Sequence, residues 1–126
     1  MYQIDNQSRQ AVYEQIVHQV EKYVLTGVLG NGEKLPSVRQ LSIELNVNPN
    51  TVQRAYTELE RSGVIVTAPG RGAYVCDQAA ILLRERRREM VLTDLKELVA
   101  ELKLAGLEKP QVLQIIEEMY QEGNQD

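Results

Sequence analysis

The chain has one cysteine, Cys76, and one histidine, His18, in 126 residues. A single thiol excludes an internal disulfide and suits a reducing cytosol. The two residues lie far apart in sequence, so nothing has the paired spacing of a metal site, and His18 reads as structural or solvated. No apolar run approaches the ~20 residues needed to span a bilayer, and no signal peptide opens the chain, so a cytoplasmic protein with no membrane partner is expected. Carboxylates are scattered, and the adjacent pair Glu117 and Glu118 would point apart on a helix. Gly27, Gly30 and Gly32 lack the Lys-Ser or Lys-Thr of a phosphate loop. These absences leave no catalytic residue, no metal ligand set and no cofactor, and they argue against an enzyme.

What is present begins at Ser37. In Leu35-Pro36-Ser37-Val38-Arg39-Gln40-Leu41 the serine can cap a helix, and Gln40 at the third position reaches back to complete a capping box. Asn46-Val47-Asn48-Pro49 ends that helix early. Asn48 caps the next one and Pro49, lacking a backbone donor, opens it. From Pro49 to about Ser62, Val52, Ala55, Tyr56 and Leu59 recur at helical spacing and define one buried stripe. Asn50, Gln53, Arg54, Thr57 and Arg61 cluster on the opposite side.

These polar residue types suit base edges in a major groove: Asn or Gln on adenine, Arg on guanine, a threonine methyl on thymine. Gly63 then ends the helix in a left-handed conformation, and Val64-Ile65-Val66-Thr67 reads as a strand. A glycine-tipped hairpin, Ala68-Pro69-Gly70-Arg71-Gly72-Ala73, leads to a second strand, Ala73-Tyr74-Val75. Its lone arginine suits the narrow, negative minor groove. Ahead of all this, candidate caps at Asn6 or Ser8 introduce a first helix in which Tyr13, Ile16, Val17, Val20 and Val24 form a stripe that Gly27 ends.

The segments Gly27–Arg39, Asn48–Tyr56 and Gly70–Val75 resemble, in order and spacing, the winged-helix signature of GntR-type bacterial transcription regulators. The likeness spans roughly residues 8 to 76. Asn48-Pro49-Asn50-Thr51-Val52 and the short tail are most similar to the YtrA-type subfamily. That resemblance implies dimeric repressors, often of transporter operons, acting on double-stranded DNA at a two-fold symmetric operator. It places Arg39 against DNA, assigns recognition-helix contacts to Asn48, Asn50, Thr51 and Gln53, and puts Gly70 and Arg71 at the wing tip. Some relatives have Arg where this chain has Pro49 and Gln53, so their operator sequences do not transfer. With the polar face added, the candidate DNA-contact set is Ser37, Arg39, Asn48, Asn50, Thr51, Gln53, Arg54, Thr57, Gly70 and Arg71.

Net charge is -4, which at first opposes DNA binding. Residues 1–76 hold seven basic and seven acidic residues, and residues 77–126 hold seven and eleven. A neutral reader of residues 1–76 must rely on local placement of Arg39, Arg54 and Arg71 and on helix N-termini facing phosphates. Residues 77–126 form the acidic part. From about Gln78 to Leu104 a long helix carries Val91, Leu95, Leu98 and Leu102, widened by Leu92 and Val99. Gly106 stops it, and Pro110 can start another with Val112, Leu113, Ile116, Met119 and Tyr120 on one face.

Two amphipathic helices cannot enclose a core alone, so a homodimer through residues 78 to 122 is expected. Its candidate seam is Val91, Leu95, Leu98, Leu102, Leu113, Ile116, Met119 and Tyr120. The run Arg84, Arg86, Arg87 and Arg88 is interleaved with Glu85 and Glu89 and reads as a solvated face, with phosphate contact between half-sites the competing use. No polar cluster in the tail marks an effector pocket, so a small-molecule effector stays unspecified. The expected architecture is mainly helical: a winged helix-turn-helix over residues 1–76, then a two-helix dimerisation tail over residues 77–126. The competing reading is a winged-helix interaction module that recruits a partner through the acidic tail.

Overall fold

In the computed structural model, which describes residues 1–124, the capping box at Ser37 is formed. The Ser37 hydroxyl accepts from the Gln40 amide at 3.0 Å, and the Gln40 side-chain oxygen accepts from the Ser37 amide at 3.0 Å. Seven elements follow the sequence pattern. They are α1 (Val12–Leu25), α2 (Val38–Leu45), α3 (Pro49–Arg61), β1 (Ile65–Ala68), β2 (Gly72–Val75), α4 (Ala79–Leu104) and α5 (Lys109–Asn124). The fold is mainly helical with one two-stranded antiparallel sheet.

Local chemistry accounts for the joints. Asn46 ends α2 at φ 55°, a left-handed conformation that asparagine tolerates better than most side-chain-bearing residues. Asn48 accepts the Asn50 amide at 2.8 Å, and Pro49 supplies a first-turn position whose missing donor is of no consequence. After α3, Gly63 turns to φ 85° and the Val64 amide reaches back to the Leu59 carbonyl at 2.9 Å, a glycine-dependent helix stop. Strand register runs from Ile65 opposite Val75 to Ala68 opposite Gly72. The outer edge of β2 is occupied as well. The Leu35 amide donates to Ala73, the Val75 amide to Glu33 and the Gly32 amide to Val75, each at 2.9 Å.

The chain forms two compact units, Met1–Arg86 and Arg87–Asp126, with α4 beginning in the first and ending in the second. The core of the first unit gathers Ile16, Val20, Leu35, Leu41, Val52, Leu59, Val64, Ile65 and Val75, all essentially sealed from solvent. Burying such a side chain is worth roughly 1.5–3 kcal/mol, so the apolar stripes of α1 and α3 hold the first unit together. Ala79 and Leu83 of α4 join this core.

The start of α1 differs from expectation. The helix begins at Val12 behind Ala11, with no side-chain cap, and neither Asn6 nor Ser8 caps it. Upstream side chains are used in turns instead: Asp5 accepts the Gln7 amide at 2.9 Å and Ser8 accepts the Gln10 amide at 3.1 Å. Gln15, buried on α1, secures this segment by accepting from the Asp5 amide and donating to the carbonyls of Asp5 and Gln10. Tyr13 and Val17, expected in the buried stripe, are half-buried.

In the second unit Gly106 ends α4 at φ 80°, and the Leu107 amide returns to the Leu102 carbonyl at 3.1 Å. Among residues 87–123 only Leu102, Leu107, Val112 and Ile116 are half-buried, and every other residue is exposed. No helix among the described residues is long and apolar enough to cross a membrane.

Candidate nucleic-acid interface

The apolar stripe of α3 fixes the direction of its polar face. With Val52, Ala55, Tyr56 and Leu59 buried, Asn50, Gln53, Arg54, Thr57 and Arg61 are all exposed. Gln53 donates to the Thr57 hydroxyl at 3.3 Å, so the two side chains share one orientation along the ridge. Thr51 is half-buried at the base of the helix. The carboxamide oxygen of Asn48 is committed to its cap, which leaves its amide hydrogens as donors for an acceptor outside the helix.

Tyr56 sets the approach between the two helices. Its buried hydroxyl donates to the Pro36 carbonyl at 2.6 Å, tying α3 to the segment that enters α2. Burial pushes that phenol well above its ordinary pKa, with Tyr2 and Glu44 adding in the same direction, so it stays a neutral donor. Arg39 is exposed in the first turn of α2.

The wing stands beside α3. Pro69 fixes its own φ, and Gly70 at φ 75° supplies the left-handed residue of the turn that the Arg71 amide closes onto the Ala68 carbonyl at 2.9 Å. The Tyr74 hydroxyl donates to the Arg71 carbonyl at 3.2 Å, steadying the tip while the Arg71 side chain stays exposed. At the base of the wing, Glu60 of α3 accepts both the hydroxyl and the amide of Thr67. These two bonds hold the Glu60 carboxyl below its ordinary pKa.

A cleft of about 430 Å³ opens between the start of α2, α3 and the wing. It brings Ser37, Gln53, Gly70 and Arg71 together, with Lys34 and Tyr56 in its walls. Arg39, Asn48, Asn50, Thr51, Arg54 and Thr57 lie outside it, along the helix N-termini and the exposed ridge of α3.

Two site residues were not read from the sequence. Lys34 lies against the wing so closely that a Cβ on Gly72 would come within 2.8 Å of its Cε, which places an ammonium beside the cleft. Pairing of residues 32–35 with β2 creates that position, and no local motif announces it. Tyr13 of α1 lies under the Arg54 guanidinium, whose central carbon is 3.8 Å from the ring centroid. In sequence Tyr13 reads only as one more member of an apolar stripe.

Chemically, the surface offers carboxamides, a hydroxyl and guanidinium groups on one ridge, flanked by Lys34 and Arg71. That inventory suits base edges and phosphates. Among the described residues no cluster of His, Cys, Asp and Glu is placed to hold a metal ion.

Residues 12–75 match the family model described as bacterial regulatory proteins, gntR family. The HTH-type transcriptional repressor YtrA of Bacillus subtilis (strain 168) is 42% identical over 119 residues, covering 94% of this chain and 92% of that protein. The uncharacterized HTH-type transcriptional regulator YhcF of the same strain is 36% identical over 122 residues, covering 95% and 100%. The crystal structure of a transcriptional regulator from Oenococcus oeni superposes with a TM-score of 0.78 at 32% identity, covering 93% of this chain and 97% of that one.

Proposed function

Because the chain belongs to the GntR family of bacterial regulatory proteins and is a DNA-binding transcriptional regulator, we propose that it is a homodimeric repressor reading a two-fold symmetric operator. The division of labour puts residues 1–76 on DNA and residues 77–126 at the dimer seam. Asn50, Thr51, Gln53 and Arg54 face the major groove, with Thr57 beside them and Asn48 at the mouth of the helix. Ser37 and Arg39 present the N-terminus of α2 to the backbone, where amides and a cation suit phosphate. Gly70 and Arg71 reach the adjacent minor groove, and the occupied site excludes polymerase.

The observation that carries the dimer is the apolar surface of α4 and α5 in the single chain. Leu98 is 59% exposed, Met119 63% and Tyr120 74%, and Val91, Leu95 and Leu113 are open as well. Leu102 and Ile116, half-buried, continue the same surface. Apolar surface of this extent on one segment marks an association site, and a second copy matches it by symmetry. The sign of regulation rests on the relative that is itself named a repressor.

Selection of bound sequences from a random DNA pool at near-physiological salt tests this reading, with the Gln53→Ala, Arg54→Ala double variant as control. Enrichment of a palindromic site that the control no longer binds is expected, with half-sites about one helical turn or a related spacing apart. Sedimentation should give twice the 14.3 kDa chain mass at micromolar concentrations. A monomer mass, or enrichment of single half-sites alone, counts against the dimeric operator reader.

A further inference from the structure

We propose that Arg54 is a phosphate clamp rather than a base reader, and that Tyr13 of α1 is the positioning residue that holds it there. The inference rests on the operator-reading assignment and specifies how one edge of that surface works.

The polar residues of α3 divide into two flanks. Gln53 borders the cleft beside the wing and is joined to Thr57, and Glu60 is bonded to Thr67 at the wing's base. Arg54 extends the other way, across to α1, where its guanidinium carbon sits 3.8 Å from the centre of the Tyr13 ring. A guanidinium at that distance is held by the negative face of the ring. Reaching a base edge ahead of α3 would require it to leave the ring.

Stacking leaves the arginine's hydrogen-bonding capacity intact. The five N–H donors lie in the guanidinium plane, so the ring occupies a face and the donors stay free at the rim. Among the described residues Arg54 forms no ion pair, whereas Arg61, two turns further along, is engaged with Glu58 at 3.1 Å. An exposed, unpaired, laterally held guanidinium beside a reading helix has the chemistry of a contact to the strand that borders the groove. Phosphate is the group there that takes a planar pair of donors.

A neutral reading unit needs such a device. Without a broad basic field, affinity depends on individual cations being placed before DNA arrives. The Tyr13 ring supplies that placement from a helix that need not touch DNA itself.

The test measures operator affinity against salt for the full-length protein, on the selected operator and on each of its single base-pair variants. Arg54→Ala should reduce the salt slope by about one and weaken all sites alike, leaving their order unchanged. Tyr13→Leu should weaken binding roughly two- to fivefold with the same order of sites, and Tyr13→Phe, which keeps the ring, should restore wild-type affinity. A thermal melt of each variant separates loss of fold from loss of clamp, and Arg54→Ala changes an exposed side chain, so it stays informative if Tyr13→Leu is unstable. Loss of preference at one operator position in Arg54→Ala would make it a base reader and overturn the proposal. So would an unchanged salt slope, or Tyr13→Leu binding like wild type. Failure of the wild-type protein to prefer any DNA sequence would instead overturn the operator reading on which this one rests.

Discussion

The Tyr56 hydroxyl donates to the Pro36 carbonyl at 2.6 Å across a buried joint, so helix α3 and the entry to α2 are tied by one side chain. Removing the oxygen leaves the ring's packing in place and the carbonyl without its partner. Tyr56→Phe should therefore destabilise the first unit by about 1–3 kcal/mol. For a unit of this size that is a fall of roughly 4–8 °C in melting temperature per kcal/mol. A melt unchanged within a degree would show that the joint is held by packing alone.

Tyr2 presents the opposite case. Its ring is buried and meets Tyr23 edge-on, with centroids 5.4 Å apart at 77°, yet its hydroxyl has no hydrogen-bond partner among the described residues. A buried hydroxyl without a partner opposes folding, and phenylalanine keeps the ring contact without that cost. Tyr2→Phe should thus be neutral or stabilising, by up to about 1 kcal/mol, as read by chemical denaturation at pH 7. Burial, with Tyr23 and Glu44 adding to it, pushes the Tyr2 phenol up to about 12 from its ordinary 10.0. The neutral form is thus favoured by folding, and its contribution is complete below pH 10 and lost as pH rises from there through about 12. The variant should blunt that alkaline loss; a clear drop in stability at pH 7 would refute the account.

Much of this surface is legible in sequence because its determinants are local. Ser37 with Gln40, Asn48 with Pro49, Gly63, and the Pro69-Gly70 turn each act within a few residues, and each is found where the sequence places it. The start of α1 is misread for the same kind of reason. Asn6 and Ser8 can each cap a helix or lie in a turn; here Ser8 closes a turn onto Gln10, and Gln15, by bonding Asp5 and Gln10, anchors the segment ahead of Val12. Tyr13 under Arg54 and Lys34 along Gly72 are further still from local chemistry, joining residues 41 and 38 positions apart. Only the folded chain brings such pairs together.

The wing's attachment to α3 should weaken in acid. Thr67 holds the Glu60 carboxyl below its ordinary 4.5, chiefly through its hydroxyl and then through its amide. Because folding lowers this pKa, the contribution is present above about 4.5 and is lost as pH falls through the folded value. Glu60 is exposed, so the effect is local rather than a global loss of stability. The Thr67 amide should lose protection from hydrogen exchange as pH falls below 4.5 and Glu60 takes up its proton, after correction for intrinsic rates. Glu60→Gln should exchange faster at neutral pH and show no such transition. Equal protection at pH 6 and pH 3 in the wild-type chain would rule the tie out.

The proposed dimer makes its sharpest prediction at Leu98. In the single chain this residue is 59% exposed, so replacing it costs a monomer little, typically within about 0.5 kcal/mol. In a two-fold seam the same side chain appears twice, and a carboxylate there would be desolvated opposite or near its own copy. Leu98→Asp should leave the first unit's fold intact by circular dichroism while shifting sedimentation to the monomer mass. Operator binding should then lose its cooperative dependence on the second half-site, and contact with a single half-site should persist weakly. If Leu98→Asp remains a dimer with wild-type operator affinity, the seam does not run through the middle of α4. The exposed residues Leu113, Met119 and Tyr120 of α5 would then be the next surface to change.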